Sequence, residues 1–136
     1  MRYYPLPRPG DIVWCRFPAD RLPGPALKPR PALVLQTGYI QDNPAVTVAC
    51  GTSRKVTELY TGEFAITPDD GEAFTLAGLS FPTKFNLGRI VDLPYNAVWF
   101  GVPPTAPYGQ IPKLGVLHPH LMRRVEAAYR AITRKG

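Results

Sequence analysis

Proline occupies 17 of the 136 positions, and that density decides what this chain can become. Each interior proline removes a helical backbone donor and clashes with the preceding turn, so a bundle of long helices is excluded. With 12 glycines, proline makes up about a fifth of the chain, a composition that favours short strands joined by many turns. Leu, Ile, Val and Phe together supply about a quarter of the residues, above the roughly 20% below which chains stay disordered. The length suits one domain with a single core.

Apolar patterning places the elements. GDIVWCRFP, from Gly10, is a compact apolar run bounded by breakers and predicts a strand. ADRLPGPALKPRP follows, with four prolines and a glycine in thirteen residues, and predicts a loop that carries Arg21, Lys28 and Arg30. ALVLQ predicts a strand buried on both faces, and Val46, Val48 and Cys50 alternate as a half-buried strand before a GTSRK turn. Phe64 and Ile66, Leu79 and Phe81, Phe85 and Leu87, and Ile90, Val91 and Leu93 continue the series, with a turn at Pro68-Asp69-Asp70-Gly71. VWFGVPP predicts an edge strand. About seven short strands at this spacing predict a mainly β barrel or sandwich. The last segment differs: after Pro119, residues Leu121, Met122, Val125, Ala128, Tyr129 and Ile132 fall at helical spacing. Arg123, Arg124, Glu126 and Arg130 take the other face, and Arg134 and Lys135 suit the negative end of the helix dipole. Such a helix would plug one end of a barrel.

Charge is unevenly spread. Residues 1–30 carry six basic and two acidic side chains, residues 31–83 two and six, and residues 84–136 eight and two. Basic ends around an acidic middle suit a polyanion partner if both ends reach one face, and equally a plain solvated surface. Cys15 and Cys50 lack metal-ligand spacing and predict two buried thiols, with one disulfide between them left open. His118 and His120, two apart at a helix start, face different ways and predict a structural or capping pair. The N-terminus has no apolar h-region and no stretch approaches 18 apolar residues, so neither a signal peptide nor a membrane span is expected, and the cytoplasm is the default location.

The motif search removes most enzyme classes: no glycine-rich phosphate loop, no metal-spaced cluster and no GxSxG is present, so no metal and no cofactor is expected. Two features remain. Arg30, in KPRPALVLQ, lies between Pro29 and Pro31, which hold its backbone extended before a buried strand. A guanidinium so placed offers a pre-organised fork to a phosphate. Thr52 and Ser53 end the next strand, where hydroxyls and freed N–H groups can face one ligand. By residue type alone these read first as an ion-pairing arginine and two turn hydroxyls.

GDIVWCRFP, the Pro/Gly-rich loop, KPRPALVLQ, VTVACGTS and the closing PKLGVLHPHLMRRVEAAYRAI together resemble the PemK/MazF toxins of toxin-antitoxin systems. The likeness spans roughly the whole chain, and the first 55 residues match motif for motif. It implies a small SH3-like barrel, of the MazF/CcdB type, closed by a C-terminal helix. It also implies a homodimer that cuts single-stranded RNA without a metal, and a cognate antitoxin partner. The family's Arg-Pro and Thr-Ser positions fall on Arg30 and Thr52, which the resemblance makes catalytic. Lys28, Ser53, Lys84 and Trp14 are the accompanying substrate-binding candidates, with Trp14 or Phe17 suited to stack a base. The basic N-terminal loop and the basic C-terminal third should then converge on one RNA-facing surface.

The chain also departs from the family pattern. The loop before Arg30 offers only Asp20 where relatives carry an acid or amide close to the arginine. The late-strand segment TKFNLGRIVDLP leaves Lys84, Asn86 and Arg89 competing for the family's basic position, and TPDDGEAF and VWFGVPPTAPYGQ are longer than a minimal toxin needs. A second reading follows: a non-catalytic module on the same barrel that binds nucleic acid or protein, including a toxin of the gyrase-targeting kind.

Overall fold

The computed structural model describes residues 2–19 and 23–134; Asp20, Arg21 and Lys135 lie outside them. Six strands form one antiparallel sheet: β1 (Asp11–Cys15), β2 (Arg30–Ile40), β3 (Asn43–Thr52), β4 (Glu63–Ile66), β5 (Thr83–Pro94) and β6 (Lys113–Val116). Their order across the sheet is β4-β5-β3-β2-β1-β6. The fold is thus mainly β, as expected, but the ladder does not close, since β4 and β6 are its two edges. Two helices accompany the sheet, α1 (Glu72–Leu76) and α2 (Met122–Thr133).

Both faces of the sheet are buried, which is why the β1 and β2 segments read as unbroken apolar runs. Ile12, Leu33, Ala49 and Phe85 point into one core, and Val13, Val34, Val48 and Cys15 into a second on the opposite face. β2 and β3 join through Gln41 and Asp42, both at positive φ, the geometry of a two-residue hairpin. The several late strands expected between Phe85 and Leu93 are one long strand with a break in register. Ala49 pairs with Ile90 but Cys50 pairs with Asn86, so Leu87, Gly88 and Arg89 bulge out of the ladder. The Gly88 N–H is held there by Asn86 Oδ1 at 2.8 Å.

Three expected elements differ. The turn at residues 68–71 is a 3-10 turn over Pro68–Asp70 that leads into α1, set by Thr67 N–H donating to Asp70 Oδ2 at 2.9 Å. Leu79 is buried and Phe81 exposed, but both lie in the return from α1 rather than in a strand. VWFGVPP is no edge strand: Asn96 Oδ1 accepts from Val98 N–H at 3.0 Å, which forms a turn, and only Phe100 bridges to Cys15.

The return from α1 spans the gap between the sheet's edges. A side chain at Gly78, which has φ +71°, would meet the Leu114 carbonyl oxygen of β6, and one at Gly115 would meet Ala77. Both strain and overlap oppose Gly78→Ala, so it should cost about 2–4 kcal/mol in urea unfolding, while Gly71→Ala, at positive φ in open space, should cost less.

α2 buries a narrow stripe: Leu121 and Ala128 are buried, and Val125 and Ile132 pack against the first core. Met122 and Tyr129, expected on that face, are 44% and 61% exposed, because α2 lies along β4 and β5 and touches them along one line only. Arg124, expected to face solvent, fixes the helix instead. Its guanidinium donates to both Asp70 oxygens and, at 3.0 Å, to the Ala65 carbonyl of edge strand β4. The hydrogen bond from Arg124 holds the Asp70 carboxyl below its usual range. That stabilisation is present above the unfolded carboxylate pKa, about 3.9, and is lost as pH falls through the lower folded value. Because Arg124 is partly solvated, Arg124→Ala should cost only about 0.5–1 kcal/mol at pH 7. Thermal melts should show the difference from wild type shrinking below about pH 4. His118 caps the turn before α2 as expected, accepting the His120 N–H at Nδ1 (3.0 Å), but the two imidazoles do not face apart: that turn brings their ring centroids to 4.5 Å.

Candidate functional site

Strand register gathers the candidate residues at one end of the sheet. Cys15 of β1 pairs with Arg30 at the start of β2, Trp14 with Pro31, and Ala32 with Cys50 two residues before Thr52. Gly51 makes this packing achievable, since a Cβ there would sit 2.5 Å from the Pro31 carbonyl oxygen and 2.8 Å from the Phe85 ring. The result is a cleft of about 320 Å³ lined by Trp14, Lys28, Arg30, Thr52 and Ser53, with Phe81 and residues 103–105 on its far wall. Both backbone groups of Trp14 secure that wall: its N–H donates to the Pro112 carbonyl at 2.8 Å, and its carbonyl accepts from Gly101 N–H at 3.1 Å.

A second groove of about 450 Å³ shares Lys28, Arg30 and Thr52 and adds Phe17, Cys50, Arg54 and Arg89. Arg30 and Thr52 therefore stand on the ridge between two hollows. No described carboxylate lines either hollow, so four cations face this end of the sheet without a described acid among them. Arg30 is exposed and has no ion pair or hydrogen bond among the described residues. Thr52 Oγ1 accepts the Arg54 N–H at 3.2 Å, which orients the hydroxyl and leaves its proton to donate. A guanidinium with no hydrogen bond or ion pair among the described residues thus lines the same cleft as an oriented hydroxyl, and both can donate to an anionic oxygen.

The structure does not bring Lys84 to this cleft. Its side chain is 5% exposed, and Nζ is held by Glu63 Oε1 at 2.9 Å and the Glu58 carbonyl at 2.8 Å, above the Tyr60 ring. Arg89 reaches the groove instead, because the bulge in β5 turns it toward the β1 end, where it donates to the Pro18 carbonyl at 3.3 Å and lies over Phe17. The expected convergence of the basic ends is accordingly partial. Lys28, Arg30 and Arg89 meet, whereas Arg124 of α2 packs beside β4 and the acidic Asp69 and Asp70, and Arg130 pairs with Glu126 on its own helix.

The cysteines also differ from expectation. Cys15 is buried, and burial pushes its thiol well above the usual range, whereas Cys50 is half-buried and opens on the groove. A disulfide between them is not formed, and β2 lies between their strands, about 10 Å across two strand spacings, beyond the reach of a bridge. Among the site residues, Arg54 and Phe81 had not been singled out. Arg54 directly follows the Thr-Ser pair, a signal that was readable, whereas the alternation of Leu79 and Phe81 pointed to a strand rather than to a site.

The sequence model of the PemK-like, MazF-like toxins of type II toxin-antitoxin systems matches residues 8–133. The chain belongs to the PemK/MazF toxin family. The match runs from the segment before β1 to the last residue of α2, so the C-terminal helix is part of the PemK/MazF unit. No curated protein matches the chain. Among the described residues of this PemK/MazF toxin, no helix is long and apolar enough to cross a membrane.

Proposed function

We propose that this family member is a toxin that cuts single-stranded RNA by transesterification, without a metal ion, at Arg30 and Thr52. The observation that carries the reading is that an Arg30 guanidinium with no hydrogen bond or ion pair among the described residues lines the same cleft as an oriented Thr52 hydroxyl, on a ridge walled by Lys28, Arg54 and Arg89. A ribose 2′-oxygen attacks the adjacent phosphorus as its proton passes to solvent water, the bond from phosphorus to the 5′-oxygen breaks, and that oxygen takes up a proton from solvent. The products are a 2′,3′-cyclic phosphate and a 5′-OH, and no water is consumed. Arg30 stabilises the negative charge that grows on the phosphoryl oxygens and donates a hydrogen bond to the leaving oxygen. Thr52, with Ser53 beside it, holds a second phosphoryl oxygen.

The open six-stranded sheet, with the α1 return in its gap, is read here as the family's SH3-like barrel parted along one seam. The partner proper to a type II system is an antitoxin, and an acidic segment would suit the basic groove. The working form is a homodimer in the cytoplasm, and sedimentation at micromolar concentration tests its dimeric part. The deciding experiment incubates folded protein with a defined single-stranded RNA in EDTA and identifies the new ends. Cleavage to cyclic phosphate and 5′-OH supports the reading. RNA that stays intact, or is cut only when a divalent cation is returned, overturns it.

A further inference from the structure

The cleft has two chemically different halves. Arg30, Thr52 and Lys28 form one, whereas the other is mostly apolar, walled by Trp14, Phe81, Pro103, Pro104 and Leu114 with the hydroxyls of Ser80 and Thr105 among them. Phe81 is the anomaly: a phenyl ring 68% exposed on the cleft wall, in a segment with no strand to pack against. Its backbone is nevertheless fixed, since Thr83 Oγ1 donates to the Phe81 carbonyl at 2.8 Å. Trp14, half-buried in the same cleft, is held through both of its backbone groups. Rigid aromatic surface left in solvent costs water structure for no gain in the free protein, and it is what single-strand binders present to bases.

We infer that this apolar half is a nucleobase pocket, in which one unpaired base of the RNA is stacked by Phe81 and Trp14 while its phosphate lies on Arg30 and Thr52. This rests on the reading of the cleft as an RNA site. Continuity decides the occupant: Arg30, Thr52 and Lys28 line both the pocket and the basic groove, so a chain entering one half must pass its backbone along the other. A volume of about 320 Å³ lies at the small end of ligand sites, roughly 300–1,000 Å³, and suits a single base with its sugar. Hydroxyls of Ser80 and Thr105 at the wall can meet a base edge. Residues 103–105 belong to the long segment VWFGVPPTAPYGQ and Phe81 to the return from α1 to β5, so the base chosen is a property of those two stretches rather than of Arg30 and Thr52.

The test uses short 2′-O-methyl oligonucleotides, which lack the attacking hydroxyl, each with one position made abasic, titrated by Trp14 fluorescence in a Trp99→Phe background. The expected result is saturable quenching that weakens about 10–100-fold when one particular position is abasic. Phe81→Ala should bind the intact oligonucleotide as weakly as wild type binds that abasic one, and Phe81→Tyr should restore affinity. Because Phe81 stands in solvent, its truncation empties no core, and an unchanged melting curve confirms the fold. Equal affinity at every abasic position, or Phe81→Ala binding like wild type, overturns the pocket even if RNA is cut. Base-dependent quenching with no cleavage of the matching RNA upholds the pocket and overturns the nuclease.

Discussion

Arg30→Ala loses at least about 10³-fold in the rate of RNA cleavage while melting within a few degrees of wild type. The two halves of that result have separate causes. The side chain is exposed and makes no described contact, so its removal leaves no void and no unpaired partner, and surface changes of this kind stay within about 0.5 kcal/mol. The chemical step loses the arginine that, among the described residues, lines both hollows together with Thr52. Arg30→Lys keeps the charge and loses the planar fork, so it should fall about 10–100-fold, between the two extremes. Gel assays on one defined RNA order the three proteins. Cleavage by Arg30→Ala at the wild-type rate would remove Arg30 from the mechanism.

Lys84→Ala should do the reverse, with a loss of about 3–5 kcal/mol in stability and a fall in Tm of roughly 10–20 °C. Its ammonium and the Glu63 carboxylate are buried together, 5% and 8% exposed at 2.9 Å, and the Glu58 carbonyl shares the charge. Without Lys84, the Glu63 carboxylate keeps only the Tyr60 N–H at 2.8 Å and remains buried with its charge uncompensated. Replacing both partners, as in Lys84→Met with Glu63→Leu, should recover most of the loss, because an apolar pair of similar size has no such penalty. Below its melting range, Lys84→Ala should cut RNA within about 3-fold of wild type, since Lys84 meets the cleft only through its strand pairing with Thr52 and lines neither hollow. A variant that melts like wild type but fails to hold RNA would return Lys84 to the binding surface.

These two cations show where sequence reasoning stops. Arg30 is legible because its flanking prolines fix the backbone locally, and the strand after it is an apolar run that cannot lie elsewhere than in the core. Lys84 and Arg89 lie in one continuous strand, and which of them reaches the cleft depends on the three residues that bulge between Ile90 and Asn86. Gly88 hints at a bulge, but neither its size nor its direction is written in local pattern. The same limit hid α1, five residues long and shorter than two helical turns, so that no periodicity could accumulate. It also misjudged Arg124, whose place on the helix wheel pointed to solvent while its length let it reach Asp70 and the β4 edge. What could be read was whatever neighbouring residues determine; what could not was set by register between strands distant in the chain.

The placement of β6 bears on how the protein is made. β1, which carries Trp14, takes one neighbour from β2 and the other from residues 113–116, about a hundred positions later. The Pro112 carbonyl that holds the Trp14 N–H comes equally late, as does Leu114, which closes the cleft wall. A nascent chain therefore has Arg30 and Thr52 paired through their hairpin long before it has a finished cleft around them. The cleft, and with it the RNA cleavage proposed for it, is complete only once translation has passed β6.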